Sequence, residues 1–235
     1  MNDDRGWIFE RYLSSFYGTE QNADVARSYE LLLRKYLPDN RDAAILDIGP
    51  GRGELVGLLV GKGYRRVEAV DVSQEVVQVV ASLGVTAHQA DDLAVFLDGR
   101  ADQYDLVTMF NVLEHIRPQE TVAVMTALRR CLRRGGLLLL MVNNAANPFD
   151  QQYRYIDLSH TTSYTEYSMG QLFSAAEWER YSMLPFERSP HRLVRVARTL
   201  FRAVFYSLLR ALARAEGIPP HRVMTPLLLA VARRQ

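Results

Sequence analysis

The segment Ile45-Leu46-Asp47-Ile48-Gly49-Pro50-Gly51-Arg52-Gly53-Glu54 takes an apolar strand through a glycine-rich turn into a helix. Glycines in such a turn let backbone approach a ligand closely and accept positive φ, where a side chain would collide. A dinucleotide fingerprint would place another glycine three residues after Gly51, and Glu54 stands there instead. Asp47, at the strand end ahead of the glycines, suits a ligand that carries a positive group better than a pyrophosphate. Asp71 ends the next apolar strand eighteen residues after Gly53, where an acid accepts both hydroxyls of a ribose.

The side chains that titrate nearest neutrality are His88, His115, His160, His191 and His221. Only His115 and His160 lie beyond the C-terminal ends of strands, where open α/β sheets bind their ligands. Glu114, His115, Asp157 and His160 offer metal-ligating atoms, but their spacing resembles no standard site, so the sequence assigns no metal.

The elements that must position these residues alternate between short apolar runs and longer helical patterns, which predicts an α/β fold with a parallel sheet. Strands are expected at about 44–48, 66–71, 85–89, 104–110 and 137–143, with helices near 53–62, 74–83 and 119–133. The last of these opens at Pro118 and closes on Arg133-Arg134-Gly135-Gly136. Two helices, about 5–17 and 23–37, precede the first strand; 144–165 has no clear period; a helix at 166–176 and a strand at 179–187 follow. From 189 to 217 the chain carries complete helix punctuation, with Ser189 as N-cap, Pro190 at the first position and Gly217 past the end. Arg192, Arg195, Arg198, Arg202, Arg210 and Arg214 form one stripe of that helix, and Leu200, Val204, Leu208 and Leu212 lie on the other side with Phe201 and Phe205. Met224–Ala232 is expected to return to the sheet as a final strand.

At 235 residues, 48% hydrophobic and 23% charged, the chain is too apolar for disorder, too polar for an integral membrane protein, and without a fixed repeat. Its net charge of +1 hides an asymmetry: residues 1–187 hold 18 basic and 26 acidic side chains, and residues 188–235 hold ten Arg against the single acid Glu216. The lone Cys131 excludes an intrachain disulfide, and the acidic start Met1-Asn2-Asp3-Asp4 lacks the pattern of a secretory signal, so a cytoplasmic location is expected. Arg interrupts every stretch of about 20 apolar residues, which excludes a transmembrane span. No nucleic-acid partner is expected, because the acidic body would repel its backbone and no base-reading motif accompanies the Arg stripe.

Taken together, the glycine turn, Asp71, Gln89-Ala90-Asp91-Asp92-Leu93 and Tyr104-Asp105-Leu106-Val107-Thr108-Met109-Phe110-Asn111-Val112-Leu113-Glu114-His115-Ile116 resemble, in order, the motifs of class I S-adenosylmethionine-dependent methyltransferases. The resemblance spans about residues 40–187 plus the last strand. It implies a Rossmann-like, seven-stranded, mostly parallel sheet, with an N-terminal helical lid at 1–40, a cofactor-binding catalytic domain at 41–187, a basic amphipathic insertion at 188–222 and the domain's final strand at 223–235. It further implies that Asp47, Gly49, Gly51 and Gly53 hold the methionine part of S-adenosylmethionine, that Asp71 beside Val72 holds the ribose, and that Asp91 beside Asp92 lies near the adenine amine. Asn111 would contact cofactor or acceptor, and Tyr12 or Tyr17 in the lid would touch the cofactor; the alternatives are that Asn111 caps a turn and that the N-terminal aromatics simply pack on the sheet.

A second, narrower resemblance joins Asn143-Asn144-Ala145-Ala146-Asn147-Pro148-Phe149 to Arg154-Tyr155-Ile156-Asp157-Leu158-Ser159-His160-Thr161-Thr162-Ser163-Tyr164-Thr165. It is similar to methyltransferases of bacterial surface-polysaccharide (O-antigen, lipopolysaccharide) pathways, whose stretch reads Arg-Tyr-x-Asp-x-Thr-His with Phe-Thr beyond; this chain departs at Ser159 and Tyr164. The implied reaction is O-methylation of a sugar hydroxyl, on the polysaccharide or its lipid-linked precursor. For that reaction His160, oriented by Asp157, is the candidate general base, with a loop histidine bonded to backbone as its alternative; His115 is a second candidate, in a turn that many relatives use to shape the site. Arg154, Tyr155 and Asn144 are the candidate acceptor contacts, although Arg154 could instead pair with Asp157 and Asn144 could cap a turn. For 189–217 three uses stay open: an anionic membrane surface at the inner face of the cytoplasmic membrane, a homodimer contact, and packing within the chain. Two other functions stay open as well, O-methylation of a quinone or other lipid-like phenol, and a non-catalytic membrane adaptor with this fold.

Overall fold

Every residue of Ala44–Ile48 is buried, because this strand, β1, lies in the middle of a sheet covered by helices on both faces. The computed structural model describes residues 6–14, 18, 20–186 and 192–235, with side chains in the last stretch from Arg198 onward. Around β1 the chain builds β2 (Arg66–Asp71), β3 (Thr86–Gln89), β4 (Tyr104–Phe110), β5 (Leu132–Asn143), β6 (Arg180–Phe186) and β7 (Leu227–Arg233). The order across the sheet is β3-β2-β1-β4-β5-β7-β6, with β1 to β5 parallel and β7 antiparallel to both its neighbours. This is the seven-stranded Rossmann-like arrangement the resemblance implies.

The helices are α1 (Gly6–Glu10), α2 (Ala23–Leu33), α3 (Glu54–Gly61), α4 (Gln74–Ala81), α5 (Leu93–Asp98), α6 (Thr121–Cys131), α7 (Asp150–Tyr155), α8 (Glu166–Ala175) and α9 (Arg192–Ala215). Because side chains alternate along a strand, the sheet feeds two cores. Ile45, Leu106 and Leu139 pack with Leu55 and Leu59 of α3 and Val76 and Val80 of α4. Leu46, Val107 and Leu138 pack on the other face with Leu97, Met125, Leu128 and Phe173.

Several elements differ from expectation, the first two helices among them, which end at Glu10 and Leu33. The helix expected to 133 ends at Cys131, and β5 starts at Leu132, because the Arg133–Gly136 stretch is a bulge: the β4–β5 register shifts between Tyr104 and Leu106, and Gly135 takes φ 81°. Leu93–Asp98 and Asp150–Tyr155 are helices too short to show a period.

Helix α9 is about 36 Å long at 1.5 Å per residue. Two of its described Arg are partly covered: the Arg210 guanidinium donates to the carbonyls of His221 at 3.0 Å and Arg222 at 2.8 Å, and Arg202 lies over the Tyr206 ring, whereas Arg198 and Arg214 are exposed. Its apolar side faces outward, with Leu200, Phe201, Val204, Leu208 and Leu212 between 58% and 73% exposed. A helix packed in the ordinary way would bury that stripe. No described helix is long and apolar enough to cross a membrane. Ser189, Pro190 and His191 fall outside the described residues, as do Phe16 and Tyr17.

Candidate active site

Where β1 gives way to α3, the backbone takes positive φ at Gly49 (66°), Gly51 (55°) and Gly53 (80°). A Cβ on Gly49 would lie 2.2 Å from Val112 Cγ2, so glycine is what lets the turn after β4 close over this one. A Cβ on Gly51 would meet nothing within 4 Å: that backbone borders open space. The turn is tied to the start of α2, where Gln21 Nε2 donates to the Gly53 carbonyl at 3.0 Å and the Asn22 amide to Glu54 Oε1 at 3.1 Å.

The space is a cavity of about 900 Å³ at the C-terminal ends of the parallel strands, the edge at which such sheets bind ligands. Asp47, Gly49, Gly51, Asp71, Val72, Asp91, Asp92 and Asn111 all border it. Asp47 is sealed, 2% exposed, and its Oδ1 accepts from Thr108 Oγ1 at 2.7 Å across the β1–β4 pair. Burial pushes its carboxyl up to about 7. Asp71 Oδ1 accepts from the Ser73 amide at 2.8 Å, and burial likewise raises it to about 7. Two carboxyls held near neutrality in one cavity are poised for a cationic, hydroxyl-bearing ligand, whose contacts would draw both into the charged form. Asp92 has local work, since its side chain accepts from the Val95 amide at 3.0 Å and caps α5. Asn111 sits at φ 55° and donates from Nδ2 to Glu114 Oε1 at 3.0 Å. Tyr17 lies outside the described residues; Tyr12 and Phe9 border the cavity.

The far end of the cavity is formed by the short turn Leu113–His115 after β4 and the loop after α7. Thr161 joins the two: its amide donates to the Glu114 carbonyl at 2.7 Å and its hydroxyl to the Ile116 carbonyl at 2.7 Å. His115 and His160 meet there edge to face, ring centres 4.6 Å apart. His160 Nδ1 lies 2.8 Å from the Tyr153 carbonyl, which can only accept, so Nδ1 carries the proton and Nε2 the lone pair. Burial holds this imidazole below its usual range, against the pull of Asp157, and so favours the neutral form. Asp157 does not orient His160 as expected. Its Oδ1 accepts from the Ser159 amide at 2.9 Å and the Ser159 hydroxyl at 2.5 Å, its Oδ2 accepts from Tyr12 at 3.2 Å, and Ser159 Oγ in turn meets His115 Nδ1 at 2.7 Å. The carboxylate therefore acts on His115 through Ser159, a relay that the Asp157–Ser159 spacing could have suggested.

The three candidate acceptor contacts are placed away from the cavity. Arg154 donates to the backbone carbonyls of His160 and, at 2.7 Å, Thr161, and so braces the loop. Tyr155 is 76% exposed. Asn144 is fully buried, its Nδ2 donating to the Val223 and Thr225 carbonyls at 3.1 and 2.7 Å and its Oδ1 accepting from the Ala146 amide. The residues at the far end that the sequence did not single out as acceptor contacts are Phe9, Tyr12, Tyr153 and the buried Glu114, whose Oε2 meets no hydrogen-bonding partner among the described residues.

A search of curated protein sequences returns no match. The sequence matches the family described as methyltransferase domain over residues 19–182. Among solved structures it is similar to an S-adenosylmethionine-dependent methyltransferase from Archaeoglobus fulgidus, with a TM-score of 0.65 at 15% identity over 98% of this chain and 100% of that one. One from Thermotoga maritima gives 0.62 at 12% identity over 97% and 93%, and one from Mesorhizobium loti 0.57 at 16% over 88% and 98%. At such identities the likeness speaks for the fold.

Proposed function

The chain belongs to the methyltransferase-domain family and takes S-adenosylmethionine as methyl donor, and from that premise we propose that its acceptor is a hydroxyl of a saccharide, on a surface polysaccharide or its lipid-linked precursor. Bound in the cavity, S-adenosylmethionine supplies a methyl group on a positively charged sulfur. The residues present fit it: Gly51 leaves backbone open to the ligand, Gly49 lets the turn after β4 close beside it, Asp47 stands behind them for the positive end, and Asp71 closes β2 for the ribose. Asp91 and Val72 border the same end.

The observation that carries the hydroxyl reading is the lone pair of His160 Nε2. A sugar hydroxyl is weakly acidic, so its oxygen becomes a nucleophile only as its proton leaves, and a placed acceptor for that proton contributes about 10² to 10⁴ in rate. A neutral imidazole with Nδ1 held by the Tyr153 carbonyl is such an acceptor. His115, steadied through Ser159 by Asp157, stands beside it, and Phe9, Tyr12 and Tyr153 supply the flat apolar surfaces on which pyranose rings stack.

Helix α9 supports an acceptor presented at a membrane. Leu200, Phe201, Val204, Leu208 and Leu212 face outward, with the exposed Arg198 and Arg214 nearby, a pattern that fits a helix lying in the plane of an anionic surface at the inner face of the cytoplasmic membrane. The same helix would serve a membrane-dissolved quinone or phenol, or pair two copies of the chain. The test is transfer of label from methyl-labelled S-adenosylmethionine into an envelope extract: label in polysaccharide is the expected result, and label confined to small lipids would replace the saccharide with a lipid-like phenol.

A further inference from the structure

The lone pair that can take a proton can equally take a cation. His115, Asp157 and His160 each bring a ligand atom to within 4.8 Å of the other two, although they stand 42 and 3 residues apart in the sequence. We propose that this trio is a divalent transition-metal site, for Mn²⁺ or Zn²⁺, whose open coordination positions take hydroxyls of the acceptor. The inference rests on reading this end of the cavity as the acceptor end; with an ion bound, the His160 Nε2 lone pair is a ligand, and activation of the acceptor hydroxyl by the ion takes the place of proton acceptance by that nitrogen.

The outer bonds of the trio are those a ligand set requires. Metal-ligating histidines almost always donate their second nitrogen to a carbonyl, a carboxylate or a group held by one, which fixes tautomer and ring orientation. His160 Nδ1 is fixed in this way by the Tyr153 carbonyl at 2.8 Å. The Ser159 hydroxyl spends its own proton on Asp157 Oδ1, so its oxygen accepts from His115 Nδ1, leaving Nε2 as the acceptor nitrogen of that ring too. Asp157 takes both Ser159 donors on Oδ1 and presents Oδ2 beside the Tyr12 hydroxyl.

The backbone holds the trio in place without an ion. Thr161 binds the His115 turn to the His160 loop, and Arg154 braces the carbonyls of His160 and Thr161. Glu114, next to His115, adds a buried carboxyl at the same end of the cavity, its Oε2 without a partner among the described residues. A lone general base would need one pinned imidazole; here two, a carboxylate and their braces converge. Two imidazole nitrogens with one carboxylate oxygen suit a first-row transition ion, whereas Mg²⁺ prefers an all-oxygen octahedron. Three protein ligands leave positions open toward the cavity, and an ion there acts as a Lewis acid on a bound hydroxyl and orients it.

The test uses untagged full-length protein, stripped with a chelator and titrated with Mn²⁺ without donor or acceptor, the free ion being read by electron paramagnetic resonance. The expected result is one saturable Mn²⁺ per chain, displaced by Zn²⁺ and lost in His115→Ala and His160→Ala, while both variants keep wild-type affinity for S-adenosylhomocysteine as proof of folding. Ser159→Ala, which removes only the relay, should weaken Mn²⁺ binding about 10- to 100-fold. Absence of saturable binding, or binding that both His variants leave unchanged, overturns the site. If the chelated protein also methylates saccharide at full rate, the cation site falls and methyl transfer stands; if Mn²⁺ binds at the trio but no saccharide is ever methylated, the site stands and the acceptor reading falls.

Discussion

His160 points its Nδ1 at the backbone carbonyl of Tyr153, 2.8 Å away, and this one bond decides which of its nitrogens can work on an acceptor. Replacement by Ala removes Nε2 from the far end of the cavity and leaves the glycine turn untouched. Turnover of His160→Ala should fall about 10²- to 10⁴-fold, while calorimetry with S-adenosylhomocysteine should give the wild-type affinity. A full-rate variant would remove His160 from the chemistry.

Asp71 ends β2 with Oδ1 bonded to the Ser73 amide. If its carboxylate also receives the ribose hydroxyls, Asp71→Ala weakens cofactor binding by about 1.5 to 3 kcal/mol, the worth of hydrogen bonds to a charged group. Titration of both proteins with S-adenosylhomocysteine measures the difference, and equal affinities would remove Asp71 from the site.

The pH dependence follows from Asp47 and Asp71, both raised by burial from an ordinary 3.8 to about 7. In the cofactor-free protein the folded chain holds these protons where the unfolded chain has lost them. Lowering the pH from above 7 toward 4 therefore stabilises the free protein, and raising it through 7 removes that stability. Cofactor binding has the opposite sign: sulfonium and ribose hydroxyls prefer the ionised carboxyls, so affinity for S-adenosylmethionine should climb between pH 6 and pH 8, with protons released on binding. Calorimetry in buffers of different ionisation enthalpy reads both effects, and a flat profile with no proton release would contradict them.

Gly49 is fixed by Val112, whose Cγ2 would lie 2.2 Å from an added Cβ. Gly49→Ala should cost stability through this overlap, about 1 to 3 kcal/mol, and lower the melting temperature. An unchanged melting temperature would mean that the two turns do not close on each other in this way.

The outward stripe of α9 separates membrane binding from folding. Because Phe201 and Leu208 are already 73% and 64% exposed, replacing both with Glu should leave the melting temperature unchanged. Flotation with anionic vesicles should show the wild-type protein bound and the double variant released. Wild-type protein that never floats with the vesicles contradicts the membrane reading.

The end of the cavity at the glycine turn was legible in the sequence because its residues are held by local rules: a strand end, a glycine turn within seven residues, and an acid at the next strand end. The far end, where the acceptor is proposed to bind, depends on long-range pairing. Asn144 looks like a cavity residue beside β5, yet its amide is claimed by carbonyls 79 and 81 residues away. Arg154 and Tyr155 sit next to the Asp157–His160 loop, but which way a loop residue points is set by tertiary contacts, here the Arg154 bonds to the carbonyls of His160 and Thr161. Periodicity set Arg210 apart from the Leu200, Val204, Leu208 and Leu212 stripe of α9 but could not say which faces inward; the carbonyls of His221 and Arg222, left by the turn after the helix, draw Arg210 in.

The central claim, methyl transfer to a saccharide hydroxyl, is met most directly by nuclear magnetic resonance of polysaccharide and lipid fractions after incubation with ¹³C-methyl-labelled S-adenosylmethionine. The account predicts an enriched ether-methyl signal on a sugar carbon of the polysaccharide or its lipid-linked precursor, formed by wild-type protein and lost in His160→Ala. Enrichment confined to small aromatic lipids, or on nitrogen, would contradict it.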